Sequence, residues 1–302
     1  MSTNPVHGLG IDAGGTRTRW ALASGEGEIV AEGHVGGTTA LQLIDARRER
    51  LSQAFAQLAK DVLAIATPAR VHAGFTGLGE GSAPLADLIA APLGLAPSAV
   101  SIGSDIETAY RDLFAPGEGY VVYAGTGSVA AFIDAEGTLH RAGGRGVTLD
   151  DGGGGFWIAR EALRHVWRAE DERPGNWQDS PMARALFERI GGTDWSFTRL
   201  YVYGGDRGDI GRLALAVAES ADRDSAARAI LADAGRELAR LGCAMIGRYG
   251  PRPVTLSGRA STLHPLIAES MRAALPADCS FRLRPCHGHH AAARLALRAA
   301  HS

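Results

Sequence analysis

The chain has 302 residues, 45% of them hydrophobic, with 31 basic and 33 acidic side chains and a formal net charge of −2. That length allows a substantial core divided over two lobes, and a well-mixed, nearly balanced charge argues against nucleic acid or a strongly acidic partner. Three cysteines, Cys243, Cys279 and Cys286, lack CxxC spacing, which excludes a disulfide scaffold or cysteine zinc site and suits a reducing compartment.

In chain order, residues 6–35 predict a three-stranded meander. "VHGLGID" runs into a glycine turn, "TRTRWALAS" returns, and "EIVAEGHV" follows a second turn. The start lacks a basic region followed by an apolar core, and no apolar run approaches membrane-spanning length. A cytoplasmic protein with no membrane contact is expected. Residues 41–66 carry Leu41, Ile44, Leu51, Phe55, Leu58 and Val62 at helical spacing and stop at Pro68. "RVHAGFTGL" reads as a strand, "PLADLIAAPLGL" as a short helix and "AVSIGSD" as a strand ending at Asp105, before the helical "IETAYRDLF". At that junction Asp105 is either a helix N-cap or a carboxylate presented at a strand end.

Residues 119–146, "GYVVYAGTGSVAAFIDAEGTLHRAGGRG", repeat the plan of the opening meander. Both have an apolar strand, a glycine-threonine turn, a second strand, an acidic-glycine turn, a third strand and a double glycine. The duplication predicts two similar α/β lobes with a cleft between them. After it come the glycine run and helix "DDGGGGFWIAREALRHVWRA", an irregular stretch, and helices around 181–190 and 208–222. The longest helical pattern is 224–249; "PRPVTLSGRAS" is a strand with another glycine turn, "HPLIAESMRAAL" is a helix, and an alanine-rich helix closes the chain.

Glycine permits positive φ and close backbone approach, and a tight turn whose N–H groups converge makes an anion nest. The turns "GGTRT" (14–18) and "GTGS" (125–128) are therefore candidates to grip a polyphosphate. Asp12, at the mouth of the first, is a candidate to orient a divalent cation through its water shell. There is no GxxxxGK[ST], and the sole lysine, Lys60, lies on a helix far from any glycine turn, which excludes a Walker loop and disfavours Schiff-base chemistry.

"DAGGTRT" at 12–18, "YAGTGS" at 123–128 and "LSGRAS" at 256–261 resemble, in order, the two phosphate motifs and the adenosine motif of the actin/hexokinase/Hsp70-like ATPase superfamily. Within it, "AGGRGVTLDDGGGGFWIAREAL" resembles the segment "GGWG…GDEGS…WIGREAL" of the BadF/BcrA-type ATPase and N-acetylglucosamine kinase family. The resemblance implies two ribonuclease-H-like, actin-like ATPase lobes with a nucleotide cleft between them. Residues 1–115, completed by the C-terminal helix 289–302, form one lobe, and 116–288 the other. It implies ATP and Mg2+ as cofactors, a homodimer, and an amino-sugar substrate phosphorylated on its 6-hydroxyl, N-acetylglucosamine first and glucosamine second.

Carried over residue by residue, the resemblance makes Asp105 the catalytic base and Asp12 the magnesium ligand, through water. Gly14, Gly15, Thr16, Thr18, Gly125, Thr126 and Gly127 hold phosphate, and Gly258 lets adenine lie on the backbone. Asp105, Gly127, Ser128, Gly144 and Asp151 face the sugar, with Thr38 and Thr39 standing where the family has an asparagine. Small residues in "HGHHAAARLA" imply a close helix crossing at the hinge. Two further departures, Arg145 for tryptophan and Gly152 for glutamate, leave the phosphoryl-transfer machinery complete and the sugar pocket altered. Metal binding by His287, His289 and His290 is not expected, because His289 and His290 are adjacent on a helix and no acidic residue is near in sequence. The runner-up is the ATPase activator of a 2-hydroxyacyl-CoA dehydratase, disfavoured by cysteines too late in the chain for a shared iron–sulfur cluster. The third is a nucleotide-binding sensor, against which Asp12 and Asp105 speak.

Overall fold

A computed structural model describes residues 6–15, 17–38, 40, 48–78 and 83–298. Thr16, Thr39, the first turns of the helix expected from residue 41 and the last residues of the C-terminal helix lie outside the described residues. The chain separates into two compact units, Met1–Ala115 with Cys286–Ser302, and Pro116–Pro285.

The first unit contains β1 (His7–Ala13), β2 (Arg17–Ser24), β3 (Ile29–Gly36), α1 (Arg48–Leu63), β4 (Arg70–Phe75), α2 (Ala83–Leu93), β5 (Val100–Ser104) and α3 (Asp105–Leu113). Its mixed sheet has the order β3-β2-β1-β4-β5, antiparallel from β1 to β3 and parallel through β1, β4 and β5. Alternation along β1 sets what each face can hold. Leu9, Ile11 and Ala13 enter a core with Trp20, Leu22, Phe55, Leu58, Phe75, Leu85 and Ile89, where Phe55 and Phe75 meet edge-on with ring centroids 6.1 Å apart. Gly8 and Gly10 point the other way, under α11 (Gly288–Arg298). A Cβ at Gly10 would overlap the backbone of Ala293 and His289, and one at Gly8 would stand 2.8 Å from Leu297. The small residues of α11 therefore serve close approach to a strand. Gly288 also lets the start of α11 lie near Thr108 of α3.

The second unit contains β6 (Tyr120–Ala124), β7 (Ser128–Ile133), β8 (Leu139–Gly143), α4 (Gly155–Glu172), α5 (Pro181–Ile190), α6 (Trp195–Gly204), α7 (Arg207–Arg212), α8 (Ala214–Ser220), α9 (Ser225–Tyr249), β9 (Val254–Ser257), α10 (Pro265–Ala274) and β10 (Phe281–Leu283). Its sheet runs β8-β7-β6-β9-β10, the order of the first sheet renumbered. The repeat seen in the sequence is thus a repeat of topology, extended by two parallel strands in each copy. The helix α6 escapes the sequence reading for a physical reason: Trp195, Phe197, Leu200 and Tyr203 are exposed, so its apolar residues do not trace a core-facing stripe. Asp224 ties the long helix α9 to α5. Its carboxylate accepts from the Ala226 and Ala227 amides at the start of α9 and from the Ser180 hydroxyl and Met182 amide at the start of α5. Among the described residues no helix is long and apolar enough to cross a membrane.

Candidate active site

In the first unit the candidate side chains gather where the parallel strands end, the edge at which α/β sheets bind ligands. Asp12 is next to last in β1, Thr76 follows β4 and donates its amide to Ala13 O, and Asp105 follows β5. Asp105 is the first residue of α3; Ser104 takes the N-cap position without a side-chain capping bond. The carboxylate accepts from the Ile106 amide at Oδ1 (2.8 Å) and from the Thr76 hydroxyl at Oδ2 (2.5 Å). It is half-buried, and Gly74 gives it room, since a Cβ there would come within 3.1 Å of the Asp105 Cα. The result is an oriented, accessible carboxylate, the arrangement a general base needs.

Asp12 pairs across the β1–β2 ladder with Arg19, Nη2 to Oδ2 at 2.7 Å. Arg19 was missed in the sequence; the hairpin register that opposes residues 12 and 19 would have revealed it. With Arg19 on one oxygen, the carboxylate suits outer-sphere contact to a hydrated cation better than direct ligation. The first turn is braced from behind: the Thr38 amide donates to Gly14 O, and the Thr18 and Thr38 hydroxyls bond each other at 2.7 Å, 0% and 1% exposed. Both threonines were expected to face ligand. In the structure their buried hydroxyls face each other across the turn.

In the second unit the turn Gly125–Thr126–Gly127 closes β6 onto β7, and the start of α4 fastens it. The Gly155 and Phe156 amides donate to Gly125 O and Thr126 O, both at 2.9 Å. The Gly125 amide bonds Gly127 O, whereas the half-buried Thr126 and Gly127 amides have no acceptor among the described residues. Open backbone donors in a tight glycine turn are what an anionic group needs, which keeps the turn a candidate for a nucleotide phosphate. The expected positive φ is absent: Gly14, Gly125 and Gly127 all lack it. What requires glycine at 127 is contact, because a Cβ there would overlap the Asp151 carboxylate. Gly258 does have φ +96°, and a Cβ on it would strike the Ala124 backbone, so β6 itself accounts for that glycine.

Asp151 is the one non-glycine residue with positive φ among those described, at 52°, a conformation that costs energy and tends to mark functional positions. It is 8% exposed and accepts the Gly146 amide at Oδ1. Burial, with Asp150 adding repulsion, holds its carboxyl above the usual carboxylate range against the Gly146 amide and Arg207. Ser128, expected to reach substrate, is buried and donates to Gly152 O at 2.7 Å; the hydroxyl braces the Asp151 loop. Asp150 pairs with Arg240. Gly144 adopts φ +65° beside Val129, and the Arg145 side chain is exposed. The space beside Gly152 is taken by Glu237 of α9, whose Oε2 would lie 2.7 Å from a Cβ there. No local sequence signal connects Glu237 to this loop.

The histidines depart from expectation. Glu32 of β3, 257 residues from His289 in sequence, brings the missing acid: its Oε2 is 3.3 Å from His289 Nε2 and 2.5 Å from His290 Nε2. The two imidazoles hold the Glu32 carboxyl below its usual range. Burial, then Arg19 and His290, push His289 down to about 4. Cys286 is buried and its thiol is pushed up by that burial, which makes it inert.

A family model described as the BadF/BadG/BcrA/BcrD ATPase family matches residues 9–272. The fold is shared with a proposed N-acetylglucosamine kinase of Chromobacterium violaceum, at TM-score 0.73 and 23% identity, covering 97% of this chain and 99% of that one. A second proposed N-acetylglucosamine kinase, from Porphyromonas gingivalis, gives TM-score 0.73 and 17% identity, with 96% and 98% covered. At such identities the likeness is one of fold. An N-acetyl-D-glucosamine kinase of Dictyostelium discoideum is 41% identical over 54 residues, which is 18% of this chain and spans only 17% of that relative's length.

Proposed function

The chain belongs to the BadF/BadG/BcrA/BcrD ATPase family, and from that premise we propose that it is an ATP-dependent kinase of an amino sugar, N-acetylglucosamine first and glucosamine second, yielding the 6-phosphate. Membership of an ATPase family implies ATP use. The observation that carries the kinase reading is Asp105: a half-buried carboxylate fixed by the Thr76 hydroxyl and its own helix start, at the strand edge where ligands bind.

ATP would supply the phosphoryl group; the family resemblance assigns phosphate contacts to the Gly14–Gly15 turn of the first unit and, separately, to the open Thr126 and Gly127 amides of the second. Phosphoryl transfer asks the protein mainly for positioning and charge neutralisation. Asp105 accepts the proton of the sugar's primary hydroxyl, and Thr76 keeps the accepting oxygen in place. Asp151, with one oxygen on Gly146 and the other against Gly127, accepts hydrogen bonds from ring hydroxyls. Asp12 is assigned to hydrated Mg2+, its charge shared with Arg19. A cytoplasmic homodimer completes the reading: the family resemblance supports the dimer, and three cysteines without CxxC spacing suit a reducing compartment.

A coupled ADP-release assay across hexoses and hexosamines tests it. Turnover that depends on an amino sugar supports the kinase. Sugar-independent hydrolysis would instead indicate an ATPase activator, and no turnover with any nucleotide and sugar would remove catalysis from the account.

A further inference from the structure

We propose that His287, His289 and His290, oriented by Glu32, bind a divalent transition-metal ion that staples the start of α11 to β3. The site lies outside the catalytic constellation, and its argument is independent of the kinase reading.

One helical turn brings the imidazoles together. His287 immediately precedes α11, and its carbonyl accepts the His290 amide at 2.8 Å, closing the first turn. That places the His287 and His290 rings one above the other, stacked with centroids 4.9 Å apart. His289 turns inward beneath them, its ring centroid 4.3 Å from that of His290. One ring nitrogen from each of the three lies within 4.8 Å of the others. Nitrogens sharing a tetrahedral ion at about 2.0–2.1 Å sit roughly 3.4 Å apart, so closure needs on the order of an ångström of movement. His287 is exposed and His290 half-buried, free to make that adjustment, while His289 is fixed.

A second observation points to a ligand. His289 is 4% exposed, its Nε2 faces Glu32, and its Nδ1 is buried with no hydrogen-bond partner. With the Nε2–H directed to Glu32, Nδ1 presents an orphaned lone pair, the form in which imidazole ligates a metal. A carboxylate on the far nitrogen is the usual support of a metal-bound histidine. Glu32 serves His290 in the same way and is the one acid facing the cluster from β3 among the described residues. Arg19 approaches His289, but Asp12 shares its charge. Three imidazoles select borderline ions such as Zn2+, Ni2+, Cu2+ or Co2+ over Mg2+ and Ca2+.

The test uses full-length protein without an affinity tag, stripped with EDTA. Co2+ is titrated by its visible absorption and Zn2+ by calorimetry and thermal melting, on wild type, His289→Gln and Glu32→Gln. The expected result is one ion per chain and a metal-induced rise in Tm for wild type. Affinity should fall about 10–100-fold in Glu32→Gln, and His289→Gln should show no metal-induced rise. The proposal is overturned if wild type binds no ion saturably. It is equally overturned if both variants bind as wild type does, which would reduce the cluster to an adventitious surface pair, His287 and His290. Should His289→Gln fail to fold, the exposed Glu32→Gln substitution, checked by far-UV circular dichroism, decides the matter alone.

Discussion

Replacing Asp105 by asparagine removes a base while sparing its surroundings. The structure gives Oδ1 to the Ile106 amide at 2.8 Å and Oδ2 to the Thr76 hydroxyl at 2.5 Å. Asparagine keeps an oxygen for Ile106, and its amide can donate to a rotated Thr76 hydroxyl. Both contacts survive in kind, so stability should change by about 1 kcal/mol or less. What disappears is the proton acceptor, a contribution of about 10²–10⁴ in rate, equivalent to about 2.7–5.5 kcal/mol of barrier. Steady-state ADP release should show that loss in kcat, with Tm and nucleotide affinity near wild type; Asp105→Ala should lose as much. Thr76→Val, which removes only the positioning hydroxyl, should lower kcat about tenfold, near 1.4 kcal/mol, with KM unchanged. A folded Asp105→Asn enzyme that kept about a tenth or more of wild-type kcat would refute the reasoning, because positioning would then suffice without the base.

Gly127→Ala should lower stability by about 1–3 kcal/mol through overlap with Asp151, and adding Asp151→Gly should restore Tm without restoring turnover; a single variant melting like wild type would count against the contact. Because burial raises the Asp151 carboxyl, activity that needs it ionised is present above its pKa and lost as pH falls through it. The acid limb of kcat/KM should therefore lie above the ordinary aspartate value of about 3.9 and vanish in Asp151→Asn. Asp224→Ala uncaps α9 and leaves the Met182 amide at the start of α5 without its acceptor, and should cost about 1–3 kcal/mol at neutral pH. The hydrogen bonds that lower the Asp224 carboxyl outweigh burial, so its contribution is full above the unfolded pKa near 3.9 and fades as pH falls through the lower folded value; the Tm gap between wild type and variant should close below about pH 4. Gly10→Val drives a side chain into the α11 backbone, and tryptic cleavage at Arg294 and Arg298 should accelerate; protection equal to wild type would mean that α11 does not need the bare strand.

What could be read from the sequence was whatever repeats locally. The apolar alternation of "HGLGID" and "GYVVYA", each broken by a glycine turn, is short-range information, and the structure returns it as two sheets of the same order. Asp105 was legible as a carboxylate at the junction of a strand and a helix, with its role supplied by the family resemblance, whereas Asp151 entered through that resemblance alone. Partners brought by sheet register or helix packing were not legible. Arg19 faces Asp12 across a hairpin, Glu32 reaches His290 from the other end of the chain, and Glu237 arrives beside Gly152 on a separate helix. The glycines illustrate the limit from the other side: their presence in the turns was legible, but whether φ or contact demands them depends on the neighbours they meet.

The two copies share a scaffold and differ at the positions that their turns align. Aligned on their turns, Ala13–Gly14 corresponds to Ala124–Gly125, so Asp12 corresponds to Tyr123 and Gly10 to Val121. The core-facing position is conserved in kind: Ile11 enters the first core, and Val122 lies near the path of α9 at Gly242. The opposite face is where the copies part. Only the first strand is stripped to Gly8 and Gly10, which lets α11 settle on it, and only the first ends in a carboxylate. Because Gly288 at the start of α11 lies beside Asp12, the bare strand and the acid at its end are one adaptation: a side chain at position 10 would displace the helix whose first residue borders Asp12. The second copy has Val121 and Tyr123 at those positions, and its turn leaves the Thr126 and Gly127 amides without an acceptor among the described residues.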